Sequence, residues 1–98
     1  MIHRFVQMTF QPNEIQTFLN VFEESKQFIR QFPGCKSLQL IQNQEHPNII
    51  CTSSIWNSVE DLENYRHSDL FKTTWSKTKV LFSDKPKAIS YHLLDWQP

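Results

Sequence analysis

Apolar residues in this chain recur at one period, then another, then the first again, and that alternation restricts the fold more than any motif does. Over residues 1–10 the period is two. Ile2, Val6, Met8 and Phe10 fall on one side and His3, Phe5, Gln7 and Thr9 on the other, as in a strand. Gln11-Pro12-Asn13 interrupts it, and Asn13 with Gln16 three residues on predicts a helix N-cap close to a capping box. Ile15, Phe18, Leu19, Phe22 and Ile29 then share one helical face, while Val21, Phe28 and Phe32 lie off that stripe. Pro33-Gly34 predicts the stop, because proline cannot continue the helical ladder and glycine readily takes positive φ.

The period of two returns over Cys35–Gln42, where Leu38 and Leu40 alternate with Ser37, Gln39 and Ile41. After a polar loop, residues 43–48 with Pro47, the β-branched stretch Ile49–Trp56 predicts the second arm of a hairpin. Ser58-Val59-Glu60-Asp61 opens a second helical region with an acidic first turn, and Leu62, Tyr65 and Arg66 continue its inner face. His67-Ser68-Asp69 predicts another cap within it, after which Phe71, Trp75, Thr78 and Phe82 recur at helical spacing. Ser83-Asp84-Lys85-Pro86 reads as a turn, and residues 88–96 as a last strand with Ile89, Tyr91 and Leu93 opposite Ser90, His92 and Leu94. The order is βαββαβ, an α+β ferredoxin-like plan: a four-stranded antiparallel sheet with its helices on one face. At 98 residues this is a single domain, 1–98.

Such a sheet has a second face, and here the strands carry Ile, Leu, Val, Phe or Trp on both sides. Eight Phe, three Trp and two Tyr are also more bulky groups than a monomer this small usually hides. Both features predict a homodimer in which a second copy covers the uncovered face. Ten basic and ten acidic residues balance and are scattered, so neither nucleic acid nor an anionic membrane surface is an expected partner. With no long apolar run and no signal-peptide pattern, the expectation is a soluble, cytoplasmic chain. Cys35 and Cys51 lack Cys-x-x-Cys spacing and read as small, reduced core residues.

The common catalytic signatures are missing. The single glycine, Gly34, follows a helix instead of opening one, so there is no phosphate loop, and no dinucleotide fingerprint or nucleophile elbow occurs. His3, His46, His67 and His92 show no metal-ligand spacing; His3 and His92 could approach only because first and last strands are neighbours in this topology. No metal site is expected. The strand residues Gln7, Thr9, Gln39, Thr52, Ser54, Ser90 and His92 are either solvent-facing or the few polar groups lining an apolar pocket. Trp56, Tyr65, Phe71 and Trp75 are either core packing or the walls of that pocket.

The segment Ile55-Trp56-Asn57-Ser58-Val59-Glu60-Asp61-Leu62, continued by Tyr65, Ser68, Asp69 and Phe71, resembles the antibiotic biosynthesis monooxygenase family of dimeric α+β barrels. Trp56-Asn57-Ser58 matches its Trp-x-Ser at the end of the third strand, Ser68 and Phe71 match its helix, and Phe32-Pro33-Gly34 its turn after the first helix. The resemblance implies a homodimer whose sheets join as a barrel, each subunit holding a small hydrophobic or aromatic ligand between sheet and helices. It implies oxygenation of aromatic or quinol-like substrates by molecular oxygen with no metal, flavin or other cofactor. Trp56 matches the active-site Trp of the polyketide oxygenases, but their Asn four residues earlier is Thr52 here and their Tyr six residues later is Leu62. Where many members carry His, nine after Trp56, stands Tyr65; the axial His of the heme-cleaving members falls on Trp75, which cannot ligate iron.

Oxygenation without a cofactor needs a base to make the substrate an electron-rich anion, donors to hold that anion, and a dry cavity. On this resemblance the expected catalytic residues are His92 (or His3) as base, with Tyr65 and Trp56. The expected substrate-binding residues are Gln7 and Thr52 as donors and Phe71 and Trp75 as walls. A non-catalytic small-molecule-binding barrel and a purely structural dimer are the competing readings, since one fold hosts many activities.

Overall fold

Ile2–Thr9 forms β1, Ile15–Arg30 α1, Cys35–Gln42 β2 and Ile49–Trp56 β3. Val59–Arg66 forms α2, Asp69–Lys79 α3 and Lys87–His92 β4. The computed structural model describes residues 1–94. The sheet order is β2-β3-β1-β4 with every pairing antiparallel, the ferredoxin-like arrangement expected. No helix among the described residues is long and apolar enough to cross a membrane.

Local chemistry accounts for the boundaries, with some corrections. Ser58 Oγ accepts from the Asp61 N–H at 3.1 Å and Ser68 Oγ from the Phe71 N–H at 3.1 Å, so both predicted serine caps form and Ser68 splits the second helical region in two. Asn13 does not cap. Pro12–Glu14 instead makes one turn of 3-10 helix, and α1 starts behind Glu14 with no side-chain cap. The helical region ends at Lys79, before Phe82, because the chain turns there and Phe82 pairs back against Phe10 in an isolated bridge. The last strand is shorter than predicted: Leu93 and Leu94 lie beyond it, and Trp96 falls outside the described residues. Gly34 holds φ +90°, and a Cβ there would collide with the Asp61 side chain, so this turn needs glycine twice over.

Register assigns the sheet faces. Ile2, Arg4, Val6 and Met8 pair with Trp56, Ser54, Thr52 and Ile50 and share the helix-covered face, called inner below. His3, Phe5, Gln7 and Thr9 pair with Ile55, Ser53, Cys51 and Ile49 on the outer face. Two core clusters sit beneath the helices. One gathers Met8, Phe10, Phe18, Ile50 and Leu81; the other gathers Ile29, Leu38, Trp56 and Leu62. Each such large apolar side chain contributes about 1.5–3 kcal/mol when fully buried. Cys35 packs against the second cluster, whereas Cys51 lies on the outer face and is not a core residue of the protomer. Both are free thiols, and burial pushes both pKa values up.

Candidate active site

The two core clusters do not close on each other. Between the inner sheet face and the three helices lies a cavity of about 320 Å³, at the lower end of the range typical of small-molecule sites. Its floor is strand side chains at alternate positions: Arg4, Val6 and Met8 from β1, Thr52, Ser54 and Trp56 from β3, and Leu38 from β2. Period-two geometry brings these together, because cross-strand partners share a face. The helices supply the other walls: Phe18 and Phe22 from α1, Tyr65 and Arg66 from α2, Phe71 and Trp75 from α3.

Aromatic rings run around this space in contact with one another. Tyr65 stacks on Trp56 with ring centroids 4.9 Å apart and meets Phe32 and Phe71 edge-on at 5.5 and 5.3 Å. Phe71 stacks on Trp75 at 5.8 Å, and Trp75 meets Phe82 edge-on at 5.5 Å. Phe82 in turn touches Phe10, which stacks on Phe18 at 4.4 Å. Such offset and edge-on pairs add roughly 0.5–1.5 kcal/mol each beyond burial, so the wall is stiff as well as apolar. Trp56, 1% exposed, donates its indole N–H to Ser54 Oγ at 3.0 Å. That bond removes the cost of burying the donor and fixes the plane of the ring.

Polar groups enter at the Tyr65 side of the cavity. Burial pushes the Tyr65 hydroxyl up to about 12, an effect that the nearby Arg4 charge partly offsets. Near neutral pH it is therefore a hydrogen-bond donor and not a base. Arg4 lies between Ser54 and Ser90 in the register. Burial lowers its pKa, as does the charge of Arg66, while Tyr65 and Glu63 act the other way. Guanidinium remains protonated in proteins all the same. Arg66 pairs with Glu63 at 2.9 Å, with both side chains 43% exposed. The hydroxyls of Ser25 and Thr78 are engaged by carbonyls of their own helices, at 2.9 Å to Val21 and 2.7 Å to Thr74.

Of the residues singled out in the sequence, Trp56, Tyr65, Thr52, Phe71 and Trp75 all line this one cavity. Gln7 does not: it sits exposed on the outer face, with Thr9 and Gln39 on the same side. His92 pairs with Ile2 and so shares the inner-face parity, but it is exposed at the end of β4 and outside the cavity lining. His3, its neighbour across β1 and β4, faces the other way and meets Ser53 Oγ at 2.9 Å, so the two histidines do not converge. Among the described residues no three His, Cys, Asp or Glu side chains come together as a metal site would require.

Arg4 went unnoticed in the sequence although its position carries a signal. It shares parity with Ile2, Val6 and Met8, and a charge on the buried face of a strand is costly enough to suggest a use. Phe18 and Phe22 were legible only as core, because helical spacing does not reveal a gap in the packing.

A family model described as antibiotic biosynthesis monooxygenase matches residues 1–76, which include Arg4, Thr52, Trp56, Tyr65, Arg66, Phe71 and Trp75 of the cavity lining. Among curated proteins, none matches. Solved structures similar to this chain include an antibiotic biosynthesis monooxygenase at 17% identity and a TM-score of 0.90, covering 97% of this chain and 100% of that one. A conserved protein from Methanosarcina mazei is 20% identical with a TM-score of 0.88, over 92% of this chain and 89% of that one. A proposed antibiotic biosynthesis monooxygenase from Caulobacter crescentus is 18% identical with a TM-score of 0.90, over 96% and 90%. At these identities the likeness bears on the fold.

Proposed function

The chain belongs to the antibiotic biosynthesis monooxygenase family, and from that premise we propose that its cavity receives a small aromatic or quinol-like substrate for oxygenation by molecular oxygen without a cofactor. The observation that carries this reading is the ring-lined cavity itself, whose Trp56, Tyr65, Phe71 and Trp75 side chains offer apolar, aromatic walls to a small aromatic molecule.

Without a cofactor, all four electrons that reduce dioxygen come from the substrate. An activated methylene, or a ring C–H carbon of a hydroquinone taken on to the quinone, gains one oxygen atom while the other leaves as water. Such a substrate must first become an electron-rich anion. Tyr65, kept neutral by burial, is suited to donate a hydrogen bond to the developing oxyanion, with Thr52 as a second donor from the floor. Trp56, Phe71 and Trp75 hold the ring in place. His92 is the proposed base, acting from the open end of β4. The outer sheet face, with Ile41, Ile89 and Tyr91 about half exposed, is the proposed homodimer interface.

One observation favours a second reading, a non-catalytic dimeric barrel protein that binds a small molecule: among the described residues no imidazole or carboxylate lines the cavity. Oxygen uptake separates the two. With a panel of hydroquinones and anthrones, the oxygenase consumes oxygen in proportion to product and loses that consumption in Tyr65→Phe or His92→Ala. Binding without uptake across the panel leaves the second reading, and unchanged uptake in His92→Ala removes His92 as base.

A further inference from the structure

The charge inside the cavity is one-sided. Among the described residues its lining contains the guanidinium groups of Arg4 and Arg66 and no carboxylate. Arg4 is half-buried on the strand floor, and none of the ion pairs among the described residues involves it. The two cations are close enough to disfavour each other's charge, and Glu63, which bonds Arg66 and also favours the Arg4 charge, brings one negative charge against two positive ones. A net positive charge is thus held against an apolar, ring-walled space, where a cation without an anion is costly. Arginine presents a planar fork of donors matched to a carboxylate, and low local dielectric strengthens such a bond.

We propose that the cavity selects an aromatic acid: the ring lies among Trp56, Tyr65, Phe71 and Trp75, and the carboxylate is taken by Arg4 and Arg66. The proposal rests on the reading of the cavity as a small-molecule site and adds the class of molecule. Arg4 supplies the contact from within, and Arg66, more exposed and tethered to Glu63, closes it from the mouth. Neutral aromatics of the same shape fill the walls equally well but leave the two guanidinium charges unneutralised.

The test is a matched pair of probes, 2-naphthoate and its neutral amide 2-naphthamide, titrated against the full chain by calorimetry, with quenching of tryptophan fluorescence as a second readout. The expected result is naphthoate binding about 10- to 100-fold more tightly, the worth of one or two charge-assisted hydrogen bonds. Arg4→Met abolishes most of that preference and Arg66→Met part of it, and binding of naphthamide by both variants shows that they fold. Equal binding of the two probes by the wild type, or a preference that survives in both variants, overturns the aromatic-acid assignment and leaves the small-molecule reading standing. Binding of neither probe overturns both.

Discussion

The two faces of the sheet are built from similar residues and meet different fates. On the inner face Met8, Ile50 and Trp56 are 2% exposed or less; on the outer face Ile41, Ile89 and Tyr91 stand near half exposed. The inner face even carries the harder residue to bury, Arg4, while the outer-face residues of β1 and β3 are apolar or uncharged polar apart from His3. Hydrophobicity therefore does not distinguish the faces, and cover does. Three helices come down on one side and leave a ring-lined gap, and no element among the described residues covers the other side.

Removing the best-buried inner residue is the severest way to probe that contrast. Trp56→Ala empties a site at the junction of β3, α1 and α2 and is expected to destabilise the protomer by about 3–5 kcal/mol, read as a lowered urea midpoint. A loss under about 1 kcal/mol would mean the cavity collapses freely and its walls are not stiff. On the outer face the corresponding probe is Ile89→Asp. Its charge, repeated by symmetry, should turn a dimer into a monomer in sedimentation at micromolar concentration while each protomer keeps its near-native far-ultraviolet spectrum. A wild-type chain that sediments as a monomer removes the proposed interface altogether.

Subtler changes sharpen the inner face. Ser54→Ala leaves the Trp56 indole N–H without its acceptor in a buried place and is expected to cost about 1–3 kcal/mol. Replacing Ser54 by Thr, which retains the hydroxyl, should recover part of it. Tyr65→Phe has its smallest but most specific signature at high pH. Because the folded-state pKa is raised to about 12 from an ordinary 10, the unfolded chain releases this proton first, so stability is intact below pH 10 and falls as pH rises toward 12. The phenylalanine variant lacks that loss, and its stability should decline less steeply in this window, by at most about 1.4 kcal/mol per pH unit. Identical slopes would mean Tyr65 is well hydrated in the folded chain.

Much of this architecture was legible in the residues. Period-two stretches at β1, β2 and β3, the 3.6-residue spacing of α1, the serine caps at Ser58 and Ser68, and the turn at Gly34 all depend on neighbours in sequence. Asn13 misled because Pro12 one residue earlier favours a tight 3-10 turn, which moves the start of α1 past it. Among the cavity-lining residues, Tyr65, Phe71 and Trp75 were recognisable since helix spacing puts them on one side of α2 and α3, and Trp56 since it ends the adjoining strand. Gln7 and His92 were harder. A polar residue on a strand reveals its parity but not which parity the helices cover, and inner-face parity alone does not say that His92 stands exposed at the end of β4, outside the cavity lining.

What the sequence by itself determined is the order of elements and the partition of each strand into two sides, because backbone geometry converts spacing directly into direction. Only the tertiary structure decided which side lies under the helices, that the two core clusters leave a space between them, and that Arg4 and Arg66, 62 positions apart in the chain, face the same space. Those outcomes depend on how side chains from distant segments fill volume together, and volume shared between segments leaves no periodic trace in either one.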